Sequence, residues 1–413
     1  MKILVVGGAV RDTLMGRPVR DRDYVVVGGT PEQMLALGYR QVGQDFPVFL
    51  HPMTKEEYAL ARAHRRSVLE EGAAPVAHAA PGVTLEEDLA RRDLTINSMA
   101  MTDDGEIVDP YGGRADIASR VLRHVRDESF LEDPIRVLRL ARFAARYREF
   151  TVAPETLALV EHMVRAGELD HLVAERVWLE VTKGLKEDKP SRMFELLRDM
   201  GALKVVFPEL DALWGVPQPP EHHPEVDTGV HVMMALDAAA AAGASLEVRF
   251  AVLTHDLGKA RTSASEWPKH HNHEHLGLKP LKNVCARWKV PSAFKELAVI
   301  VCQDHTLVHG VAKLRAATIA QLLKRAGALR SAGRLEALLL ACESDARGRL
   351  GLEDREYPQA QILRAAQAVV ASVDAGAIAR ACPSADQIPA RLHQARVRAL
   401  KVALSQDMRE ARA

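Results

Sequence analysis

Short apolar runs, bounded by glycine and polar residues, dominate the first part of the chain. Runs of this length that are rich in β-branched residues predict buried strands. The predicted strands are Lys2–Val6, Asp23–Val27, Val48–Leu50, Tyr58–Ala61 and Glu106–Asp109. One segment between them, Pro31–Leu37, has helical spacing instead. The first 114 residues are therefore expected to mix strands with helices.

After residue 115 the apolar residues recur every three or four positions, which is the period of a helix. This spacing predicts helices over Pro134–Arg148, Arg176–Leu185 and Met193–Asp199. The prolines of Val216–His223 predict a connector before a histidine-rich helical block. We therefore predict an α+β fold, in which a small head with a mixed sheet precedes a long all-α body. The expected domain ranges are 1–114, 115–215, 224–330 and 331–413.

The composition of the chain argues against several classes of protein. Its 413 residues include 55 Lys and Arg against 55 Asp and Glu, so the net charge is zero. That balance counts against the broad basic field that indiscriminate nucleic-acid binding requires. Four scattered cysteines without a C-x-x-C pair count against a zinc ribbon or a disulfide scaffold. No apolar stretch approaches the roughly 18 residues of a membrane span, and the apolar start lacks a basic leader, so we expect a cytoplasmic protein.

A first candidate site follows the first predicted strand. Gly7 and Gly8 would let the backbone approach a triphosphate closely, and Arg11 would lie near enough to hold a phosphate. Asp21 and Asp23 stand at the mouth of the second strand, where alternate residues share a face about 6.6 Å apart. Two such carboxylates can ligate a pair of Mg²⁺ ions. Taken alone, each motif also fits a strand-to-helix corner or a solvated turn.

Together, the string G-G-x-V-R-D and the later D-x-D resemble the nucleotidyltransferase head of the DNA polymerase beta superfamily. This resemblance implies Mg²⁺ bound by Asp21 and Asp23. It also implies a third carboxylate from a neighbouring strand, for which Glu57 is the candidate.

A second candidate site combines two arginine-rich segments, Arg91–Asn97 and Glu132–Arg142. On a helix the later arginines would form a stripe over about one third of the circumference. The stripe consists of Arg136, Arg139, Arg142 and Arg146. Taken alone, this segment also fits a helix that is capped by Asp133 and has a solvated arginine face.

Four strings from this region resemble bacterial class II tRNA nucleotidyltransferases, the CCA-adding enzymes, in order and spacing. The strings are R-R-D-L-T-I-N from Arg91, D-P-Y-G-G from Asp109, E-D-P-x-R-x-L-R-x-A-R from Glu132 and E-R-V-W from Glu175. The resemblance implies addition of CCA to the tRNA 3′ end from CTP and ATP. It places Gly8, Arg11, Arg92, Arg139 and Arg142 at the nucleotide, and residues 331–413 at the acceptor and elbow of the tRNA. A poly(A) polymerase of the same superfamily and a tRNA-binding or HD module without transferase activity are the alternatives.

The same resemblance implies that Asp133 and Arg136 read the incoming base. Cytosine and adenine present an amino donor beside a ring-nitrogen acceptor, whereas uracil and guanine present the reverse. A carboxylate beside a guanidinium therefore accepts C and A and rejects U and G. The segment Val68–Pro81 departs from the family, because it contains Gly72 but no Gly-Tyr pattern. In the family this segment assists the switch from C to A addition, so the departure concerns the terminal A.

A third candidate site lies in the histidine-rich block. His231 and the string L-T-H-D-L-G-K, which contains His255 and Asp256, resemble the metal-dependent HD phosphohydrolases. The nearest likeness over the whole chain is therefore to the multifunctional form of the CCA-adding enzymes, which carries such a domain and is expected to be a monomer or a homodimer. Imidazole with carboxylate favours Ni²⁺ or another transition metal ion. Asp304 is the candidate for the last ligand, since the family's acid position is Thr306 here. Further possible ligands are His270, His271, His273 and His275.

Overall fold

The strands of the computed structural model lie in its first 152 residues, and the described residues after them form helices joined by turns and loops. The structure describes residues 1–42, 48–64, 77–79 and 81–410. The strands are β1 Lys2–Val6, β2 Asp23–Val27, β3 Arg40–Val42, β4 Val48–Leu50, β5 Glu57–Leu60, β6 Arg62–His64, β7 Ala77–Ala79, β8 Ala100–Met101, β9 Ile107–Val108, β10 Val121–Leu122 and β11 Thr151–Val152.

The α-helices continue along the chain to residue 410. They are α1 Gly8–Leu14, α2 Pro31–Ala36, α3 Leu85–Ala90, α4 Gly113–Ser119, α5 Asp127–Glu132, α6 Arg136–Arg146, α7 Pro154–Arg165, α8 Ala174–Leu185, α9 Ser191–Asp199, α10 Leu203–Val206, α11 Pro208–Asp211, α12 Thr228–Ala241, α13 Leu246–Thr254, α14 His273–Arg287, α15 Ser292–His309, α16 Ala316–Arg325, α17 Ala332–Arg347, α18 Gln359–Ala371, α19 Ala375–Arg380 and α20 Ile388–Glu410. Short 3-10 turns occur at Thr95–Asn97, Lys259–Arg261, Ala264–Glu266, Val311–Lys313 and Ala385–Gln387.

The main sheet of the head has the strand order β3-β4-β5-β2-β1-β8-β9 within the described residues. Strand β2 lies between β1, with which it pairs antiparallel, and β5, with which it pairs parallel. Asp23 is opposite Val6 on one side and Glu57 on the other. The last residue of β1, Val6, after which the Gly7 turn begins, therefore lies level with Asp23 and Glu57 on the neighbouring strands.

The central strands are buried on both faces of the sheet, which explains their nearly continuous apolar sequences. Val25 packs on one face with Leu4 and Leu89, whereas Val26 packs on the other face with Phe49. Alternate residues of one strand thus belong to two separate clusters. Burial on both faces fixes the register, because a slip by one residue would exchange the two sets of side chains.

Two compact units divide the chain. The first contains residues 1–180 and 192–206, and the second contains 181–191 and 207–413. In the second unit, helices α12, α13, α15 and α17 pack against one another. Within the described ranges, no helix is both long and apolar enough to cross a membrane.

The sequence-based elements agree with the structure at most positions, and the α+β fold is confirmed. Helix α6 begins later than predicted, at Arg136, and its N-cap is Ile135, whose side chain makes no capping hydrogen bond. Asp133 therefore does not cap this helix, and it is the C-cap residue of α5 instead. Asp21 lies outside β2, which begins at Asp23. Of the segment 68–81, which was expected to bear on terminal A addition, residues 68–76 and 80 lie outside the described residues.

Candidate functional site

The turn between β1 and α1 requires glycine at its first position. Gly7 has φ +69°, and a Cβ on it would lie 2.8 Å from Nη1 of Arg92. The Arg92 guanidinium is therefore in direct contact with the turn, with its Nη2 3.4 Å from Asp88 Oδ2. Its buried Nε has no hydrogen-bond partner among the described residues. A cationic group with a free donor beside an open backbone turn is suited to a phosphate. Gly8 is the first residue of α1.

The carboxylates of Asp23 and Glu57 lie across the sheet at the level of this turn. Asp23 and Glu57 are in register on adjacent parallel strands, so their side chains leave the sheet on the same face. Partial burial raises the pKa of Asp23; Arg92 opposes this rise and Asp21 adds to it. A cation between these groups would relieve the repulsion, and an all-oxygen donor set suits Mg²⁺.

Arg11 is buried inside the head and fully engaged. Its Nε donates to Asp12 Oδ1 over 2.9 Å, and its Nη1 donates to Asn97 Oδ1. Its guanidinium also lies 5.4 Å from the ring centre of Tyr147 and 5.5 Å from that of Phe143. These contacts connect α1 to the Thr95–Asn97 turn and to α6. The side chain thus holds the walls of the candidate site together, and its predicted contact with a phosphate stays a prediction.

The arginines of α6 are not a solvated stripe, because acidic partners from distant segments engage three of the four, including Arg146, which lies 3.5 Å from Asp12. Arg139 donates to Asp93 Oδ2 through Nε over 2.8 Å. Arg142 donates to Glu180 Oε2 over 2.6 Å, and both partners are buried. Burial opposes the ionisation of Asp93, but Arg139 and the amide of Asn97 outweigh it and lower its pKa. These ion pairs attach α6 to Asp93 and Glu180, and they neutralise the charges of Arg139 and Arg142.

Asp133 and Arg136, the proposed base readers, lie close together but are not hydrogen-bonded through their side chains. Both oxygens of Asp133 accept from Arg176, over 2.8 and 2.7 Å. Arg136 Nη1 donates to the backbone oxygens of Ser129 and Arg92, over 2.8 and 3.3 Å. Each carboxylate oxygen has a second lone pair, so Asp133 can still accept from a ligand.

A dense cluster of histidines and carboxylates occupies the interior of the second unit. In the described part of the chain, every group of three potential ligands with ligating atoms within 4.8 Å of one another belongs to this unit. The groups are His223, Glu225 and His231; His231, His255 and Asp256; His255, His305 and Asp345; and Asp256, His273 and His305. The HD residues predicted from the sequence, His231, His255 and Asp256, are therefore brought together.

Asp304 has a different environment from the one expected of a last metal ligand. Both of its oxygens accept from Arg325, over 3.1 and 2.6 Å, and it belongs to none of the four groups. The structure places Asp345 of α17 at the centre instead, with Oδ1 3.0 Å from His231 Nε2 and Oδ2 3.7 Å from His255 Nε2. Thr306 donates to Glu274.

The buried atoms at the centre of this cluster fit a metal ion. His255 Nε2 and both oxygens of Asp256 are buried without a hydrogen bond to the described residues, although Lys259 lies 2.7 Å from Asp256 Oδ2 as an ion pair. Burial lowers the pKa of His305 well below its ordinary value, so its imidazole is neutral at pH 7. Imidazole nitrogens and carboxylate oxygens that are buried together are the ligands that suit a divalent transition metal.

Comparison with known proteins identifies the family of the chain. A model of the poly A polymerase head domain matches residues 3–123, one of the probable RNA- and SrmB-binding site of polymerase A matches 149–213, and one of the HD domain matches 228–339. A protein of Cupriavidus metallidurans named "Multifunctional CCA protein" is 56% identical over 97% of this chain and 98% of its own length. A protein of the same name from Burkholderia cenocepacia is 57% identical over 98% and 99%. The chain belongs to the multifunctional CCA protein family.

Solved structures share the fold with this member of the family. The Bacillus stearothermophilus CCA-adding enzyme in complex with CTP has a TM-score of 0.64 at 22% identity, over 99% of this chain and 93% of that one. The Thermotoga maritima CCA-adding enzyme complexed with tRNA has a TM-score of 0.61 at 19% identity, over 98% and 91%.

Sequence reasoning missed Asp345 and Glu180, although a signal for Asp345 was present. Leu338, Cys342 and Asp345 are spaced four and three residues apart, so they share one face of α17, and all three are buried. A carboxylate on the apolar face of a helix requires a buried partner. Asp345 also lies just beyond the range that the HD model matches. No comparable local signal marks Glu180, because its partner Arg142 is 38 residues away.

Proposed function

We propose that this protein adds the 3′-terminal CCA to tRNA from CTP and ATP, releasing pyrophosphate, and that it acts in the cytoplasm. The observation that carries the proposal is the row of Asp23 and Glu57 beside the Gly7 turn, in a chain whose near-full-length relatives are named multifunctional CCA proteins. A poly(A) polymerase is the second candidate, since the head-domain model is named after that activity.

In the proposed reaction the 3′ oxygen of the tRNA attacks the α-phosphorus of the nucleotide. The bond to the β-phosphate breaks, pyrophosphate leaves, and the hydroxyl proton passes to solvent. Asp21, Asp23 and Glu57 would hold Mg²⁺, which supplies charge neutralisation at the phosphates and a more acidic 3′ hydroxyl. The Gly7 turn would let the triphosphate approach the backbone, and the Arg92 guanidinium, whose Nη1 faces this turn, would bind it from the side. Arg139 and Arg142, held by their acidic partners, would contact phosphate and sugar.

Base selection is assigned to Asp133 and Arg136. The carboxylate would accept from the exocyclic amino group of cytosine or adenine, and the guanidinium would donate to the neighbouring ring nitrogen. Arg176 donates to both carboxylate oxygens, which fixes the orientation of the acceptor. Uracil or guanine would place an N–H donor against Arg136 and leave buried polar groups unpaired.

We further propose that the histidine cluster is a metal-dependent phosphohydrolase site acting on 2′,3′-cyclic phosphates, 2′-nucleotides and phosphomonoesters. His231, His255, Asp256 and Asp345 would hold Ni²⁺ or another transition metal ion, which would supply an activated water. The buried atoms of His255 and Asp256 that make no hydrogen bond to the described residues support this assignment. Asp345 replaces Asp304 in the proposed ligand set because of its distances to His231 and His255.

One experiment with two variants tests both activities. tRNA lacking CCA is incubated with Mg²⁺ and each nucleotide singly, and hydrolysis of a 2′,3′-cyclic phosphate is followed with Ni²⁺. Asp23→Ala should reduce CTP incorporation at least about 100-fold, because even indirect partners of a metal ligand are worth 10- to 100-fold. His255→Ala should abolish hydrolysis and leave CTP incorporation unchanged. The matched control is Asp103→Ala, which removes an exposed aspartate of the same head and should leave both activities unchanged.

The outcomes separate the candidates. Incorporation of CTP and then ATP supports CCA addition, whereas incorporation of repeated ATP without CTP indicates a poly(A) polymerase. Near-normal CTP incorporation by Asp23→Ala would contradict the head assignment. A parent protein without hydrolysis in Ni²⁺, Co²⁺ or Mn²⁺ would refute the second activity and leave the first untouched.

A further inference from the structure

A cleft of about 340 Å³ opens at the edge of the main sheet of the head, where β3 begins and β4 ends. The described residues that line it are Gly38, Arg40, Leu50, His51, Pro52 and Lys55. Three of these six residues have basic side chains, and none of the six has an acidic one. The lining of the cleft is therefore suited to an anion.

The His51 ring is held in one orientation and in one tautomer. Its Nδ1 accepts from the backbone N–H groups of Met53 and Thr54, over 3.4 and 3.1 Å. The ring packs edge-on against Tyr39 and stacks on Tyr58, with centroids 5.2 and 5.8 Å apart. Because Nδ1 is the acceptor, the proton of the neutral ring lies on Nε2. This Nε2–H group has no hydrogen-bond partner in the described part of the chain, so it is available to a ligand.

The charges of Arg40 and Lys55 are not neutralised locally. Both side chains are exposed, and neither forms an ion pair within the described ranges. Lys55 Nζ donates to the backbone oxygen of Pro52 over 2.6 Å, which holds the ammonium group against the turn after β4. The adjacent acid, Glu56, accepts from the hydroxyl of Thr54 over 2.8 Å. Two cationic groups are thus left for an anionic ligand.

This cleft lies at the same end of the sheet as the candidate ligands of Mg²⁺. Arg40 is opposite Leu50, and Leu50 is opposite Glu57. Glu57 is in turn opposite Asp23. Residues directly opposite on paired strands project from the same face of a sheet. At about 4.8 Å per strand, Arg40 therefore lies about 10 Å beyond Glu57 on the face that carries both carboxylates.

The Gly7 turn lies on the other side of these carboxylates, after Val6 of β1, and Arg92 contacts it there. In phosphoryl transfer the attacking and leaving oxygens are roughly in line with the phosphorus. A triphosphate beside the Gly7 turn therefore requires the attacking 3′ oxygen to arrive from the side of β5. The RNA strand that carries this oxygen then continues towards β4 and β3, where the cleft lies.

We propose that the cleft binds a backbone phosphate of the tRNA just upstream of its 3′ end, through Arg40, His51 and Lys55. This inference rests on the proposed nucleotidyl transfer in the head. The contact fixes the position of the strand without reading its sequence, because it is made to phosphate and not to a base. The same cleft can therefore hold the strand before and after each nucleotide is added.

The salt dependence of tRNA binding tests the inference without any catalytic step. Binding of tRNA lacking CCA to the full chain is measured without nucleotide at several salt concentrations. Each phosphate contact with a single strand steepens the plot of log K against log salt by about 0.7, which corresponds to about fivefold in affinity at roughly 0.1 M salt. Arg40→Gln and Lys55→Gln remove a charge but keep an N–H donor, and each should reduce the affinity and the slope by about these amounts. Affinity for CTP without tRNA should be unchanged.

The matched control is Lys2→Gln, which removes an exposed charge at the opposite end of β1 and should alter neither quantity. A measurement on the parent protein does not depend on how the variants fold. Bound tRNA lacking CCA should protect Lys55 from acetylation by an amine reagent, whereas CTP should not, and Lys2 should react equally in all samples.

The outcomes distinguish this inference from the proposed function. A parent that binds tRNA and incorporates CTP, with an unprotected Lys55 and with variant slopes equal to its own, would overturn the cleft and leave the transferase standing. Weaker binding of CTP or pyrophosphate by the variants in the absence of tRNA would assign the cleft to free phosphates and also overturn the inference. A parent that binds tRNA with protected Lys55 but incorporates no nucleotide would support the cleft and refute the proposed function. A parent that binds no tRNA would refute both.

Discussion

Replacing Asp93 with asparagine removes one charge from the ion pair that attaches α6 to the head. Asp93 is 5% exposed, and its Oδ2 accepts from Arg139 Nε over 2.8 Å. Its Oδ1 accepts from the backbone N–H of Leu94 over 2.8 Å and from Asn97 Nδ2 over 2.9 Å. Asparagine keeps the shape, but one of its two terminal atoms becomes a donor. It therefore leaves either Arg139 or the Leu94 and Asn97 donors without an acceptor.

The structure sets the size of this effect. Breaking a fully buried ion pair costs about 3–5 kcal/mol. The Arg139 side chain retains 34% exposure, so water relieves part of the penalty. We therefore expect a loss of about 2–3 kcal/mol. In a folding unit of about 150–250 residues, each kcal/mol shifts the melting temperature by about 2–4 °C, which gives a decrease of about 4–12 °C.

The matched control is Asp133→Asn, which makes the same chemical change in the more exposed pair with Arg176. The side chains of that pair are 30% and 51% exposed, so its loss should cost no more than about 1 kcal/mol. Both variants are melted at pH 7 and near pH 3, with the transition of the first unit followed by hydrogen exchange. Equal melting temperatures for the two variants at pH 7 would refute the reasoning.

The pH dependence gives a second check on the same variant. The folded-state pKa of Asp93 is lowered, so its ionised form stabilises the fold above the ordinary aspartate pKa of about 3.9. This stabilisation is lost as the pH falls below that value towards the folded-state pKa. The difference between the parent and Asp93→Asn should therefore be complete at pH 7 and smaller near pH 3. A difference that does not change with pH would show that packing, and not charge, is responsible.

Two further predictions concern the second unit. Gly348→Ala should destabilise it by about 1–3 kcal/mol in a thermal melt, because the added Cβ would overlap backbone atoms of α12. Gly333→Ala, near the start of α17, meets only one atom at 3.6 Å and should be neutral; equal effects would contradict the packing explanation. Burial raises the pKa of the Cys285 thiol to about 11 and that of Cys302 to about 12. A thiol reagent at pH 8 should therefore react first with partly exposed Cys382, and a fast phase that survives Cys382→Ser would refute this order.

The sheet could be predicted from the sequence because its strands are recorded in local patterns. Lys2–Val6, Asp23–Val27 and Val48–Leu50 match the observed strands in full, since each is an apolar run that is buried on at least one face. The strand order could not be predicted in the same way. The parallel pairing of β2 with β5, which brings Glu57 beside Asp23, joins segments separated by a helix and two other strands.

The site residues that were predicted wrongly from the sequence have interaction partners that are distant along the chain. Asp304 and Asp345 both lie on buried helix faces, and periodicity gives them equal claims to the metal site. Packing decides between them. Asp304 accepts hydrogen bonds from Arg325 of α16, whereas Asp345 of α17 lies against His231. The alternative in which Asp133 caps α6 does not hold, and both of its carboxylate oxygens accept from Arg176, which is distant along the chain.

The zero net charge of the chain is reflected locally in ion pairs between arginines and carboxylates. In the first unit, Asp93 and Glu180 neutralise the charges of arginines of α6. These arginine side chains are therefore held in place and do not form a diffuse basic field. A guanidinium that is paired with a carboxylate still has unused N–H donors, so it selects ligands by the geometry of their hydrogen bonds. A guanidinium without such a partner would attract any phosphate. In the second unit, His255 Nε2 and the oxygens of Asp256 are buried at the centre of the cluster without a hydrogen bond to the described residues, and Lys259 is the cation beside Asp256. The arginines of α6 are thus paired before any ligand arrives, whereas the histidine cluster has buried ligand atoms that a cation would complete.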